Sequence, residues 1–166
     1  EELKQPDEAA RYYQQVTEGE YLVQARSRQA AMLVNQGNLP QARALLVATV
    51  GGNDAQKMRL IQAEAELLRD AKDYQQAYAV LSAGLKTYPD SPDLLYDHAM
   101  MAEKINKLDV LEADLRRVIQ IKPDEAQAYN ALGYTLADRT TRIDEALVLL
   151  EKALALAPED PFILDS

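Results

Sequence analysis

The chain has no cysteine and no tryptophan, and only one phenylalanine and one histidine in 166 residues. Without cysteine there is no disulfide, no thiolate nucleophile and no cysteine-ligated zinc site. A lone histidine, His98, has no second histidine or cysteine to share a metal with, so its reading is that of a packed helix residue. Glycine is sparse, at six residues, and none of the six builds a phosphate-cradling loop. No apolar run approaches the roughly 18 residues that a membrane-spanning helix needs. Positive charge is also short: 18 Lys and Arg stand against 27 Asp and Glu, a formal net charge of −9. Phosphate backbones need clustered cations, so nucleic acid is excluded as a partner. An anionic bilayer surface is disfavoured on the same ground. The partner these charges admit is a protein or peptide with a basic or mixed surface.

What the chain does have is a period. Ala9, Ala42, Ala77, Leu111 and Ala146 stand 33, 35, 34 and 35 residues apart. Pro89, Pro123 and Pro158 follow at spacings of 34 and 35. A period near 34 predicts stacked helical hairpins: an all-α chain, an α-α superhelix of about four hairpins with a half unit at each end. The units fall at about 21–53, 54–90, 91–124 and 125–159, flanked by a half unit over 1–18 and a partial helix over 160–166. The whole of 1–166 is read as one array.

The last full unit states the pattern best. Tyr129, Leu132 and Leu136 recur on one helical face. Gly133 lets a neighbouring helix approach closely. A polar turn follows, and Ala146, Leu147, Leu150, Ala153 and Leu154 mark a second helix that Pro158 ends. Earlier units turn at Gly37-Asn38, Lys72-Asp73 and Asn106-Lys107, and Pro40 sits where a helix start tolerates a missing N–H. Gly51-Gly52-Asn53 reads as the loosest joint. Small residues let paired helices close up, while Leu81, Leu115 and Leu150 fill the space between hairpins. The apolar run Phe162-Ile163-Leu164 is the reverse of a polar terminal cap. The chain is therefore expected to be a piece of a longer array, or to make contacts through its ends.

The series Tyr129, Leu132-Gly133, Leu136, Ala146, Leu150, Ala153 and Pro158 resembles the tetratricopeptide repeat. Two departures are an extra residue in Arg139-Thr140-Thr141-Arg142 and Arg26 in a place the family usually fills with a bulky apolar side chain. The runs 130–140, 151–158 and 162–166 are similar to tetratricopeptide outer-membrane lipoproteins of proteobacteria, among them the adaptor of the carboxyl-terminal processing protease. That resemblance implies a periplasmic scaffold, anchored to the outer membrane in the full-length protein, that presents cell-wall hydrolases to a protease.

No catalytic, cofactor or metal site is expected. The pairs Asp7-Glu8, Asp124-Glu125 and Asp144-Glu145 all fall at helix starts, where capping and the helix dipole explain them. Asp109 and Asp114 lack the oxygen spacing of a calcium loop. The expected working surface is the outward face of each first helix. It carries Gln24, Ser27, Ala31 and Asn35, then Arg59, Gln62, Glu66 and Arg69. It continues with Asp93, Tyr96, Met100, Glu103 and Lys104, and ends with Gln127, Asn130, Tyr134 and Asp138. Tyr96 and Tyr134 are placed off the packed seam, where a rigid amphipathic ring suits binding. Some tetratricopeptide domains clamp a terminal carboxylate with Lys, Asn and Arg. The corresponding places here hold Ser27, Ala31, Gln62, Glu66, Asp93 and Asp97, which argues against that ligand. Two readings remain: a protein-interaction scaffold, or an accessory repeat arm of a larger enzyme, with a pilus or envelope-complex assembly factor as a variant of the first.

Overall fold

The computed structural model describes Tyr12, Tyr13, Gln15, Val16, Gly19 and residues 21–50 and 52–164. Ala9, Asp7-Glu8 and most of the half unit over 1–18 lie outside these residues, as does Gly51. The described elements are α1 (Leu22–Asn35), α2 (Leu39–Ala48), α3 (Asp54–Asp70), α4 (Tyr74–Thr87), α5 (Pro92–Lys104), α6 (Leu108–Ile121), α7 (Ala126–Arg139), α8 (Ile143–Leu156) and α9 (Pro161–Leu164). There is no strand among the described residues.

Local chemistry sets the boundaries. Gly37, Lys72 and Asn106 all adopt positive φ, at 78°, 62° and 60°. Each follows a first helix, and each turn closes with the same bond: Asn38 N–H to Leu33 O, Asp73 N–H to Leu68 O and Lys107 N–H to Ala102 O, all at 2.8 Å. This is the left-handed C-terminal cap that satisfies orphan carbonyls and reverses the chain. The fourth turn is built differently, because of its extra residue. Thr140 is extended, its hydroxyl donates to Leu136 O at 2.6 Å and accepts from Arg142 N–H at 3.0 Å. Helix starts are capped by Asn38, Asn53 and Ser91, with Pro40 and Pro92 in the first turns that follow Asn38 and Ser91. The joint at Gly52-Asn53 is more tightly held than its composition suggests. Asn53 and Gln56 form a reciprocal capping box, and Gln56 Nε2 also donates to Gly19 O at 3.0 Å.

By compactness the chain divides into Glu1–Gly84 and Leu85–Ser166. In the first unit α1 packs on α2, and both pack on α3. Val23, Ala30, Ala42, Leu46 and Leu60 form its core, with Leu33, Leu45 and Leu67 around them. Arg26 lies at the edge of an open cavity against α1, and its guanidinium donates to Tyr13 O at 3.1 Å and to Gln29 Oε1 at 2.6 Å.

In the second unit α5 packs on α6, α6 on α7, α7 on α8, and α9 on α8. Leu94, Ala99, Ala102, Leu111, Leu115, Ala128 and Leu132 have no exposed surface. Each leucine buried in this way contributes about 1.5–3 kcal/mol relative to exposure. The small-residue slots Ala42, Ala77 and Ala146 are buried, and Leu111 fills the corresponding place in α6 with equal burial. Gly133 explains the closeness of α7 and α8. A Cβ there would lie 2.9 Å from Leu150 Cγ and 3.1 Å from Ala146 O.

Candidate functional site

The first helices of the hairpins carry the candidate surface. In the first unit, Gln24, Ala31 and Asn35 are exposed on α1 and Ser27 is half-buried. On α3, Arg59, Glu66 and Arg69 are exposed and Gln62 is half-buried. Gln24, Ser27, Arg59, Gln62 and Glu66 line one open cavity of about 620 Å³, together with Tyr21, Val23 and Ala63. Ala31, Asn35 and Arg69 do not reach it; Arg69 is held by Asp70 at 3.0 Å and Glu66 at 3.1 Å. A larger cavity of about 750 Å³, which the sequence did not signal, lies between α1 and α2 against Leu22, Met32, Leu33, Leu45 and Val50.

In the second unit the surface is on α5 and α7. Asp93 and Lys104 are exposed on α5, while Tyr96, Met100 and Glu103 are half-buried. On α7, Gln127, Tyr134 and Asp138 are exposed and Asn130 is half-buried. The two tyrosines therefore differ. Tyr134 is 51% exposed. Tyr96 is not a free ring: burial pushes its hydroxyl above its ordinary value, and the carboxylates of Asp97, Glu125 and Glu103 push in the same direction. Glu125 precedes α7, so the start of α7 and the middle of α5 share one electrostatic environment. Lys122 bridges the same region, 3.7 Å from Asp93 and 3.6 Å from Glu125. Lys104 lies 3.3 Å from Glu103. Carboxylates still outnumber ammonium groups here. Asn130 is the odd member: its Oδ1 is wholly buried and accepts no hydrogen bond.

Several structural pairs were invisible in sequence. His98 is buried, and its Nδ1 lies 2.6 Å from Asp114 Oδ2, tying α5 to α6. Glu112, Arg116, Arg142 and Glu145 form one ionic network joining α6 to the start of α8. Arg142 meets Glu112 at 2.8 Å and Glu145 at 2.6 Å, and Arg116 meets Glu112 at 2.7 Å as well as Glu145. Hydrogen bonds from Arg142, opposed by partial burial and reinforced by Arg116, hold the Glu112 carboxyl below the usual range. Arg116 and then Arg142 do the same for Glu145. Glu145 thus serves this network more than a generic first-turn charge. Leu147 and Leu154, which mark the second helix in the sequence, are exposed on α8 with Ile143 and Val148. Among the described residues no cluster of three His, Asp or Glu could hold a metal, and no helix is long and apolar enough to cross a membrane.

Known proteins bear on this geometry. Residues 126–160, the unit that holds α7 and α8, match the family described as Tetratricopeptide repeat. The fold is the tetratricopeptide-repeat fold. The chain is 43% identical over all 166 residues to the TPR repeat-containing protein PA4667 of Pseudomonas aeruginosa, and it spans 28% of that protein's length. YrrB, described as a TPR protein with an unusual peptide-binding site, superposes with a TM-score of 0.70 at 17% identity, over 99% of this chain and 84% of its own. MamA of Desulfovibrio magneticus RS-1 gives 0.67 at 16% identity, over 94% and 88%. The first TPR of Spaghetti (RPAP3), bound to the HSP90 peptide SRMEEVD, gives 0.62 at 20% identity, over 68% and 88%. The family relative and the repeat match support placement among tetratricopeptide-repeat proteins, and the structural likenesses support the fold. A protein-interaction scaffold is the function this repeat carries in general.

Proposed function

We propose that this segment is a non-catalytic adaptor that holds another protein through the outward faces of its first helices, and that its partner carries a basic or mixed surface. The observation that carries this reading is the α5–α7 face. It joins a half-exposed Tyr134 to Tyr96, Met100 and a surplus of carboxylates. Aromatic side chains set among charges are suited to binding proteins at low entropic cost. The charge distinguishes this face from that of the RPAP3 domain, whose bound peptide SRMEEVD is acidic. On this face Asp93 and Asp97 stand where such a ligand needs cations. In the full-length protein we place the segment in the periplasm, anchored to the outer membrane. We assign it to presenting cell-wall hydrolases to a processing protease. The support for that is the resemblance carried by 130–140, 151–158 and 162–166.

Titration calorimetry against an identified partner tests the interaction reading. Tyr134→Ala weakens binding roughly tenfold or more if the ring is an anchor, and Tyr96→Phe, which keeps the buried ring, probes the hydroxyl alone. Unchanged binding by both removes the α5–α7 face as the site. The chain spans 28% of its Pseudomonas relative, which leaves room for a second reading, a repeat arm of a larger enzyme; a pilus or envelope-complex assembly factor is a variant of the adaptor reading. The full-length sequence separates them. A lipobox and further repeats support the adaptor; a catalytic domain supports the arm.

A further inference from the structure

The fourth turn, with its extra residue, reaches backward along the chain. Arg139, the last residue of α7, donates from Nη2 to Asn106 Oδ1 at 2.6 Å. Asn106 is the left-handed residue of the turn between α5 and α6. Arg142, just before α8, donates to Glu112 of α6 at 2.8 Å. Arg116 of α6 answers from the other side by pairing with Glu145 in the first turn of α8. Two arginines of the turn and one of α6 thus tie the α7–α8 hairpin to the α5–α6 hairpin, across 29 to 33 residues of sequence.

The chain itself joins these two hairpins at the opposite edge. α6 is 14 residues long, roughly 21 Å at 1.5 Å per residue. The connection to α7 over 122–125 leaves from its C-terminal end. The two helices pack on each other after that short connection, so they run antiparallel. Asn106 and Glu112 lie toward the other end of α6, where α7 finishes at Arg139. Between the two edges the packing is apolar, with Leu111, Leu115, Val118, Ala128 and Leu132 buried. The connection is braced locally: Glu125 N–H donates to Lys122 O at 3.1 Å. An element joined by backbone at one edge and by side chains at the other opens by releasing the side chains alone. These side chains keep contact with water. Arg142, Arg116 and Glu145 are 42%, 39% and 38% exposed and Glu112 is 27% exposed. Pairs at that exposure are weakened by salt.

We propose that residues 139–142 form a strap, sensitive to ionic strength, that holds the α7–α8 hairpin shut on α5–α6, and that its release lets α7–α8 pivot about 122–125. The strap acts whether or not the α5–α7 face holds a partner. Release first uncovers the buried leucines next to it in the chain, Leu111 on α6 and Leu136 on α7.

Hydrogen exchange of the 166-residue chain, read by mass spectrometry, tests this at low salt and in about 1 M NaCl, where the screening length falls to about 3 Å. Arg139→Ala/Arg142→Ala at low salt is expected to exchange roughly three- to tenfold faster over the end of α7, the start of α8 and the start of α6. Residues 118–128, around the pivot, keep their wild-type rates. Salt applies the same perturbation to the unsubstituted chain: in 1 M NaCl its exchange at the strap edge rises toward that of the variant. Unchanged rates in the double variant overturn the strap, because apolar packing alone would then keep the hairpins shut. Equal acceleration throughout α5–α8 overturns it too, because the arginines would then support the whole fold and not one edge. A variant effect that 1 M NaCl leaves at full size contradicts its ionic character.

Discussion

Substituting Gly133 by alanine sets two opposed effects against each other, and the structure decides between them. In an open helix the change favours folding by about 1 kcal/mol, since glycine is a poor helix former. In α7 the new Cβ would sit 2.9 Å from Leu150 Cγ and 3.1 Å from both Leu150 Cδ2 and Ala146 O. The first contact is a branch carbon rather than a flexible tip, and the last is backbone of α8. Relief requires α8 to shift as a whole. Overpacking of that kind costs about 1–3 kcal/mol, so the net expectation is a loss of about 1 kcal/mol. Urea denaturation followed by helical circular dichroism reads it directly. Leu150→Ala supplies the control. It removes the two leucine carbons that collide, so Gly133→Ala in that background is less damaging, with a coupling of about 0.5–1 kcal/mol. Were Gly133→Ala to raise stability by the full helix-propensity gain, or were the two changes additive, α7 and α8 would not be sealed by the missing side chain.

Other consequences follow from the polar pairs and the turns. Asp114→Ala removes the carboxylate that meets Nδ1 of the buried His98 and lowers stability by about 1–3 kcal/mol. His98→Leu, which places in α5 the residue type found at Leu132 of α7, costs less by the same denaturation assay. Glu112 and Glu145 titrate below the ordinary carboxylate value of 4.5 in the folded chain. The unfolded chain therefore takes up their protons first, and their contribution is complete above about pH 4.5 and fades as pH falls through the folded values. Stability against pH shows this as an acid limb that Glu112→Gln/Glu145→Gln flattens; an unaltered limb in the double variant contradicts the assignment. Lys72 holds a φ of 62°, which costs a β-carbon-bearing residue energy that glycine avoids. Lys72→Gly therefore raises the free energy of unfolding by up to about 1 kcal/mol, read as a higher denaturation midpoint.

The fold was legible because it depends on short-range rules repeated. Every first helix must turn back at the same offset, so Gly37, Lys72 and Asn106 mark corresponding turns although only one is glycine. Every hairpin must close, so Ala42, Ala77 and Ala146 are small. The fourth turn shows the limit of this. Its extra residue is visible in the sequence, yet the Thr140 hydroxyl bonds that accommodate it depend on where Leu136 and Arg142 end up. The pairs His98–Asp114 and Glu112–Arg142 were hidden because they join residues 16 and 30 apart on different helices. No spacing rule within a helix brings such residues together. Tyr96 is half-buried while Tyr134 is exposed for a related reason. Helical register puts it on the outward face, but its burial depends on neighbours such as Glu125 that a single-helix projection omits. Leu147 and Leu154 fit the apolar period of a second helix, and periodicity alone does not reveal which part of that face a neighbour covers.

Nuclear magnetic resonance on the isotopically labelled chain, titrated with an identified partner protein, tests the interaction claim most directly. The account predicts that the largest shift changes fall on Tyr96, Met100, Asn130 and Tyr134 in the first helices α5 and α7, with the Asn130 side-chain amide among them. Changes concentrated on the exposed Ile143, Leu147 and Val148 of α8, with α5 and α7 silent, would contradict it.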